Sequence, residues 1–236
     1  MSRIFLLLIL LSLPLNTIFA EKTEIPATAT RSEYELLYGQ LQLDGVVDYD
    51  AFVYACEGYN KIQGIKKEII TLIDFTKPST EERLFVLDMK KKNVIFISHV
   101  SHGKNSGDNY ATSFSNVSGS NKSSLGFFLT EKTYQGKNGY SLRLEGLEKG
   151  INDKAMERAI VIHGADYSNP SVISSMGRLG RSLGCPALPT AVSRKIIDTI
   201  KEGSLLFIYS NDKSYLANSN ILERSNNSRS QSIASL

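Results

Sequence analysis

The stretch Ile160-Val-Ile-His163-Gly-Ala-Asp166-Tyr, followed after a polar connection by Gly180-Arg-Ser182-Leu-Gly184-Cys185-Pro-Ala-Leu-Pro189, decides how the chain is read. The apolar run Ala159 to Ile162 delivers His163 to Gly164, which reads as a buried strand opening into a loop. Cys185 stands between Gly184 and Pro186, so its sulfur sits on an irregular backbone rather than on a helix or strand. A thiol and an imidazole on loops at strand ends are what nucleophilic acyl transfer needs.

Cys185 is therefore the candidate nucleophile and His163 its candidate base. Gly184 leaves room for backbone N–H groups to face a developing oxyanion, a contribution of roughly 3 kcal/mol per donor in known cases. Ser182 is placed to hydrogen-bond beside the nucleophile. Asp166 or a backbone carbonyl would orient the imidazole. Arg178 and Arg181, in a Gly-rich segment just before the cysteine, suit bidentate capture of a substrate carboxylate. His102, at a strand exit next to a long Gly-, Ser- and Asn-rich loop (102–124), is a pocket candidate. The bland readings are an inert cysteine in a Gly-Pro turn, a histidine capping a strand end and two solvated loop arginines.

The two cysteines also allow a Cys56–Cys185 disulfide in an exported chain. The catalytic reading needs Cys185 free and Cys56 a small buried apolar residue. The three histidines, His99, His102 and His163, lack the carboxylate partners and spacing of a metal centre, so neither metal nor cofactor is expected.

Residues 1–20 carry Arg3, an apolar run from Ile4 to Leu11, a break at Pro14 and a small residue at Ala20. This reads as a signal peptide too short to span a bilayer comfortably, which predicts an exported, periplasmic or cell-envelope protein with no stable membrane anchor after its removal. Removing it takes away Arg3 alone and leaves 26 basic against 24 acidic residues, a balance that argues against nucleic acid as partner.

Between leader and tail the pattern predicts helices from Ser32 and from Asp48, then strands at 68–75, 83–88 and 93–98 forming an antiparallel meander. A hairpin follows (127–134 and 140–144), then a short helix capped at Asn152-Asp153, the His163 strand, a helix opened by Pro189-Thr190 and a last strand at 204–209. The expected organisation is a signal peptide (1–20), a leader and helical N-terminal segment (21–62), a mainly β domain with flanking helices (63–212) and a disordered tail (213–236).

On His163-Gly164-Ala165-Asp166-Tyr167 and Gly180-Arg181-Ser182-Leu183-Gly184-Cys185-Pro186, the chain resembles the murein L,D-transpeptidase catalytic-domain family. The likeness extends to Ser101-His102-Gly103, Ser123-Ser124-Leu125-Gly126 and Gly203–Tyr209, about residues 65–212. It implies an L,D-transpeptidase-like β-sandwich or barrel and a cysteine acyl-enzyme route on peptidoglycan stem peptides. Cys185, His163, Ser182 and Gly184 match the family's catalytic positions, with Gly164 beside the base as a substrate contact. The acyl group would pass to an amine of a neighbouring stem, or to water in an L,D-carboxypeptidase or endopeptidase. The non-enzymatic alternative is a wall-binding module. Leu183 stands where the broader pattern has His, and Ala187 where it has Arg or Asn, so Arg178 or Arg181 is the expected replacement for that Arg.

Overall fold

A computed structural model describes residues 31–222. The expected signal peptide, and most of the leader, lie outside them. Two helices open the described chain, α1 (Arg31–Gln40) and α2 (Tyr49–Lys61). Asp48 caps α2 through its side chain, which accepts from Ala51 N–H at 2.9 Å, as its position before the apolar run predicts.

Eight strands follow: β1 (Ile69–Asp74), β2 (Leu84–Asp88), β3 (Asn93–Ser98), β4 (Gly126–Gly136), β5 (Gly139–Gly146), β6 (Val161–Gly164), β7 (Ala187–Leu188) and β8 (Leu205–Tyr209). They form one mainly β sheet in the order β3-β2-β1-β8-β4-β5-β6-β7. β1–β2–β3 is the expected antiparallel meander. β4 and β5 make the expected hairpin, closing from Gly136 to Gly139 around two residues. Beyond β3, Ser101 bridges Ala187 on the opposite edge strand, so the sheet nearly closes on itself.

β8 is buried along its whole length, between β1 and β4, which accounts for its unbroken apolar run. Phe127 and Phe207, register partners on β4 and β8, stack at 4.2 Å. Helix α2 packs over β1 and β8, with Gly58 against the Phe127 ring where no larger side chain fits. Cys56 is fully buried on α2 and is not bonded to Cys185. On the sheet's far part, α4 (Thr190–Ile200) lays Ile196, Ile197 and Ile200 against β5 and β6. A short helix, α3 (Ser171–Met176), ends at Gly177 in the left-handed conformation. No described helix is long and apolar enough to cross a membrane.

Two expectations need correction. Residues 152–158 form successive turns rather than a helix. Asn152 spends its side chain on long-range contacts, accepting from Glu148 N–H at 2.8 Å and donating to the carbonyls of Leu125 and Phe127. Residues 213–222, expected to belong to a disordered tail, instead pack against the sheet. Lys213–Asn218 is a helix, α5, capped by Asp212, and Tyr215, Ser219 and Leu222 are buried. The anchor is the buried Glu148 carboxylate, which accepts from Tyr215 Oη at 3.2 Å, from Ser219 Oγ and from Phe127 N–H at 2.8 Å. Residues 223–236 lie outside the described residues.

Candidate active site

β6 carries His163, and the chain returns through α3 to lay β7 parallel to it, His163 opposite Ala187 and Gly164 opposite Leu188. Two residues before that pairing, Cys185 comes alongside Val161. The Val161 N–H points at the Cys185 sulfur at 3.4 Å, and the sulfur lies 3.6 Å from the Ala159 carbonyl, to which the thiol donates. Thiol and imidazole thus arrive on neighbouring parallel segments, although no hydrogen bond joins them among the described residues.

The turn that presents the sulfur is held from several sides. Ser182 Oγ donates to the Cys185 carbonyl at 2.6 Å and accepts from Gly184 N–H at 3.0 Å. Gly184 adopts φ +128°, and a Cβ there would lie 2.9 Å from the Lys122 carbonyl oxygen and 3.0 Å from Ile160 Cδ1. Both conformation and crowding therefore demand glycine. Its N–H is used by Ser182, whereas the N–H of Cys185 itself has no acceptor among the described residues, so of this pair it is the one free to face an oxyanion. Ser123 Oγ ties the far side, donating to the Gly184 carbonyl at 3.2 Å while accepting from Gly103 N–H at 3.0 Å.

His163 Nδ1 lies 3.0 Å from the Gly164 carbonyl. A carbonyl only accepts, so Nδ1 carries the proton and Nε2 is left as the lone-pair nitrogen. The backbone, not Asp166, orients the ring. Burial pushes the His163 pKa below its ordinary value, and pushes the Cys185 thiol above its own against weaker opposing effects from Val161 N–H and the Arg158 charge. Both directions favour the neutral forms, thiol and imidazole, at neutral pH.

The remaining predicted residues fall elsewhere. Arg178 Nε pairs with Asp108 at 2.7 Å, and Arg181 Nη1 lies 3.2 Å from the same carboxylate and donates to the Gly107 carbonyl at 2.9 Å. Both guanidiniums fasten the 107–108 loop. His102 is 1 % exposed, with Nδ1 accepting from Arg83 Nη2 at 2.8 Å and Nε2 facing the Gly107 carbonyl at 3.4 Å. Its ring has no nitrogen to offer a pocket; its backbone carbonyl instead accepts from Ser182 N–H at 2.9 Å. Among the described residues no group of three metal-ligating side chains occurs.

Two neighbours of the sulfur escaped the sequence reading. Arg158 donates to the Ser115 and Lys122 carbonyls at 2.6 and 2.7 Å and to Ser124 Oγ and Ser120 Oγ, and its charge favours the Cys185 thiolate. The Tyr167 phenol is pushed up to about 12 by burial and then by the Cys185 charge. Tyr167 follows the quoted His163-Gly164 motif closely enough to have been suspected; Arg158 carries no local signal.

A family model described as the L,D-transpeptidase catalytic domain matches residues 44–209. A search of curated proteins returned no match. Among solved structures, an L,D-transpeptidase from Mycobacterium smegmatis is 14 % identical with a TM-score of 0.38, covering 61 % of this chain and 59 % of that one. L,D-transpeptidase 3 from Mycobacterium tuberculosis gives 9 % and 0.39, covering 61 % of each chain. The helical cell shape determining protein Pgp2 from Campylobacter jejuni gives 16 % and 0.42, covering 68 % of this chain and 55 % of that one. The chain thus spans about six tenths of the length of the solved structures it matches. With the family model extending over more than half of its residues, the chain belongs to the L,D-transpeptidase catalytic-domain family.

Proposed function

We propose that this chain is a cysteine acyltransferase of peptidoglycan stem peptides, acting in the cell envelope after export, with Cys185 as nucleophile and His163 as base. The observation that carries the reading is the parallel placement of the two segments, with the sulfur braced on the Val161 N–H and the His163 ring held by its own Nδ1 so that Nε2 is left to accept a proton.

Because both partners rest neutral, the thiol proton leaves the Ala159 carbonyl for His163 Nε2 as the S–C bond forms, rather than beforehand. The attacked carbonyl is that on the L-centre of the diamino acid, and its oxygen takes up negative charge facing the Cys185 N–H. Collapse breaks the bond to the terminal D-alanine, whose amine takes the proton back from His163. An amine of a neighbouring stem, deprotonated by His163 in turn, then attacks the thioester and releases the thiolate. Water in place of that amine gives the carboxypeptidase outcome.

Incubation with a carbapenem, followed by peptide mass mapping, tests the nucleophile: an adduct on Cys185, absent from Cys185→Ser, is expected. An unmodified wild-type protein that still binds sacculi would replace the enzyme reading with that of a wall-binding module. Muropeptide profiles after incubation with purified sacculi separate new cross-links from trimmed stems.

A further inference from the structure

On the side of β6 away from β7 lies a cavity of about 210 Å³ whose lining includes Tyr134, Arg143, Met156, Ala159 and Val161. Ala159 and Val161 are the two residues whose backbone groups brace the Cys185 sulfur, so the cavity adjoins the nucleophile across one strand. Arg143 is the register partner of Val161 on β5, and Tyr134 that of Ser141 on β4; the pairing puts Tyr134, Arg143, Val161 and His163 on one face of the sheet.

Arg143 is exposed and its guanidinium lies 4.8 Å above the Tyr134 ring. It makes no hydrogen bond or ion pair among the described residues. This contrasts with Arg178 and Arg181, both engaged by Asp108, and with Arg158, engaged by the 115–124 loop. A weakly hydrated guanidinium, already ordered on an aromatic face and lacking a carboxylate, is prepared to receive one.

We propose that the Arg143–Tyr134 cavity is the subsite that holds a carboxylate of the peptide whose carbonyl is presented to Cys185. The inference rests on the reading of Cys185 as acylated nucleophile. From Cys185 across β6 to β5 is two strand spacings, about 10 Å, a span that about three residues of extended peptide cover. Stem peptides carry carboxylates within that reach on the terminal D-alanine, on the diamino acid side chain when it is diaminopimelate, and on the preceding D-glutamate. Arg143→Met keeps most of the apolar stem and removes the charge without touching the core, since the side chain is exposed.

The test is calorimetric binding to the full chain carrying Cys185→Ser, with and without Arg143→Met. The ligands are the diaminopimelate tetrapeptide and three analogues, each lacking one carboxylate: the C-terminal amide, the lysine peptide and the D-isoglutamine peptide. The expected result is that one analogue binds at least tenfold more weakly than the tetrapeptide. Arg143→Met should weaken the tetrapeptide to the same level and erase that difference, while Arg143→Lys restores part of it. Undiminished tetrapeptide binding by Arg143→Met, equal binding of all four peptides, or no binding at all would overturn the proposal. Carbapenem acylation of the otherwise wild-type chain, with and without Arg143→Met, is scored separately. Its failure in both removes the nucleophile reading even if the carboxylate preference persists. Its survival in both, with the preference gone, assigns Arg143 to the peptide alone.

Discussion

The amide of Val161 donates to the sulfur of Cys185 at 3.4 Å, so the strand that carries His163 also braces the Cys185 thiol. This geometry places the thiol under two opposed influences. Burial raises its pKa, while the amide and the Arg158 charge lower it, and burial is the larger.

Alkylation by iodoacetamide should therefore rise steadily with pH, close to tenfold per unit, without levelling off below pH 9, because only the thiolate reacts. Acylation by a carbapenem, which on the proposed mechanism uses neutral His163, should hold its rate well below pH 6.5, since burial lowers that imidazole's pKa. Intact mass should show two free thiols, with Cys56 labelled only after denaturation. A plateau of alkylation near neutral pH would show an ion pair instead.

Arg158 binds the 115–124 loop to the turn that carries Cys185. Arg158→Ala removes a charge and several charge-assisted hydrogen bonds, each worth about 1.5–3 kcal/mol. Carbapenem acylation should fall roughly tenfold to a hundredfold on that basis, and the alkylation profile should move to higher pH. Arg158→Lys should recover the position of the profile better than the rate, because it restores the charge but not the fork of donors.

His102 and Arg83 form a buried unit in which Arg83 donates to the Val100 and Lys77 carbonyls as well as to the ring. The His102 pKa is lowered to about 4, first by burial and then by the Arg83 charge. The unfolded chain takes up this proton near pH 6.5 and the folded chain does not, so stability is complete above pH 6.5 and is lost as pH falls toward 4. The full effect is about 3 kcal/mol, readable in urea titrations across that window. His102→Gln should flatten this part of the pH dependence. Arg83→Leu leaves three acceptors unpaired and should cost about 3–5 kcal/mol at pH 7.

Asp108 is 77 % exposed, so its pairs with Arg178 and Arg181 are surface pairs. Asp108→Asn should change unfolding free energy by less than about 1 kcal/mol. A larger loss would mean that the 107–108 loop is structurally coupled to the core through these arginines.

Most strands were legible because their apolar runs and turn residues are local signals: the β1–β2–β3 meander and the β4–β5 hairpin follow from periodicity and from the Gly136–Gly139 turn. The His163 strand and its return through Gly184 and Cys185 were legible for the same reason. What could not be read lies in contacts distant along the chain. Helix α5 is ordered by Glu148, more than sixty residues upstream, and Asn152 is drawn from capping by the backbone of residues 125 and 127. Arg158 takes its importance from carbonyls near residues 115 and 122. The arginines at 178 and 181 look free in sequence and are not, because Asp108 lies in a different loop.

The position of β8 has a consequence for how the molecule assembles. The last of the described strands is inserted between β1 and β4, so apart from the Ser101–Ala187 and Gly103–Ser182 bridges at the far edge the two portions of the sheet are joined only when residues 205–209 arrive. A nascent chain lacking them holds two open strand borders, on β1 and on β4, each capable of pairing with another molecule. Closure of the sheet on this side should accordingly come late, when β8 inserts like a key between β1 and β4.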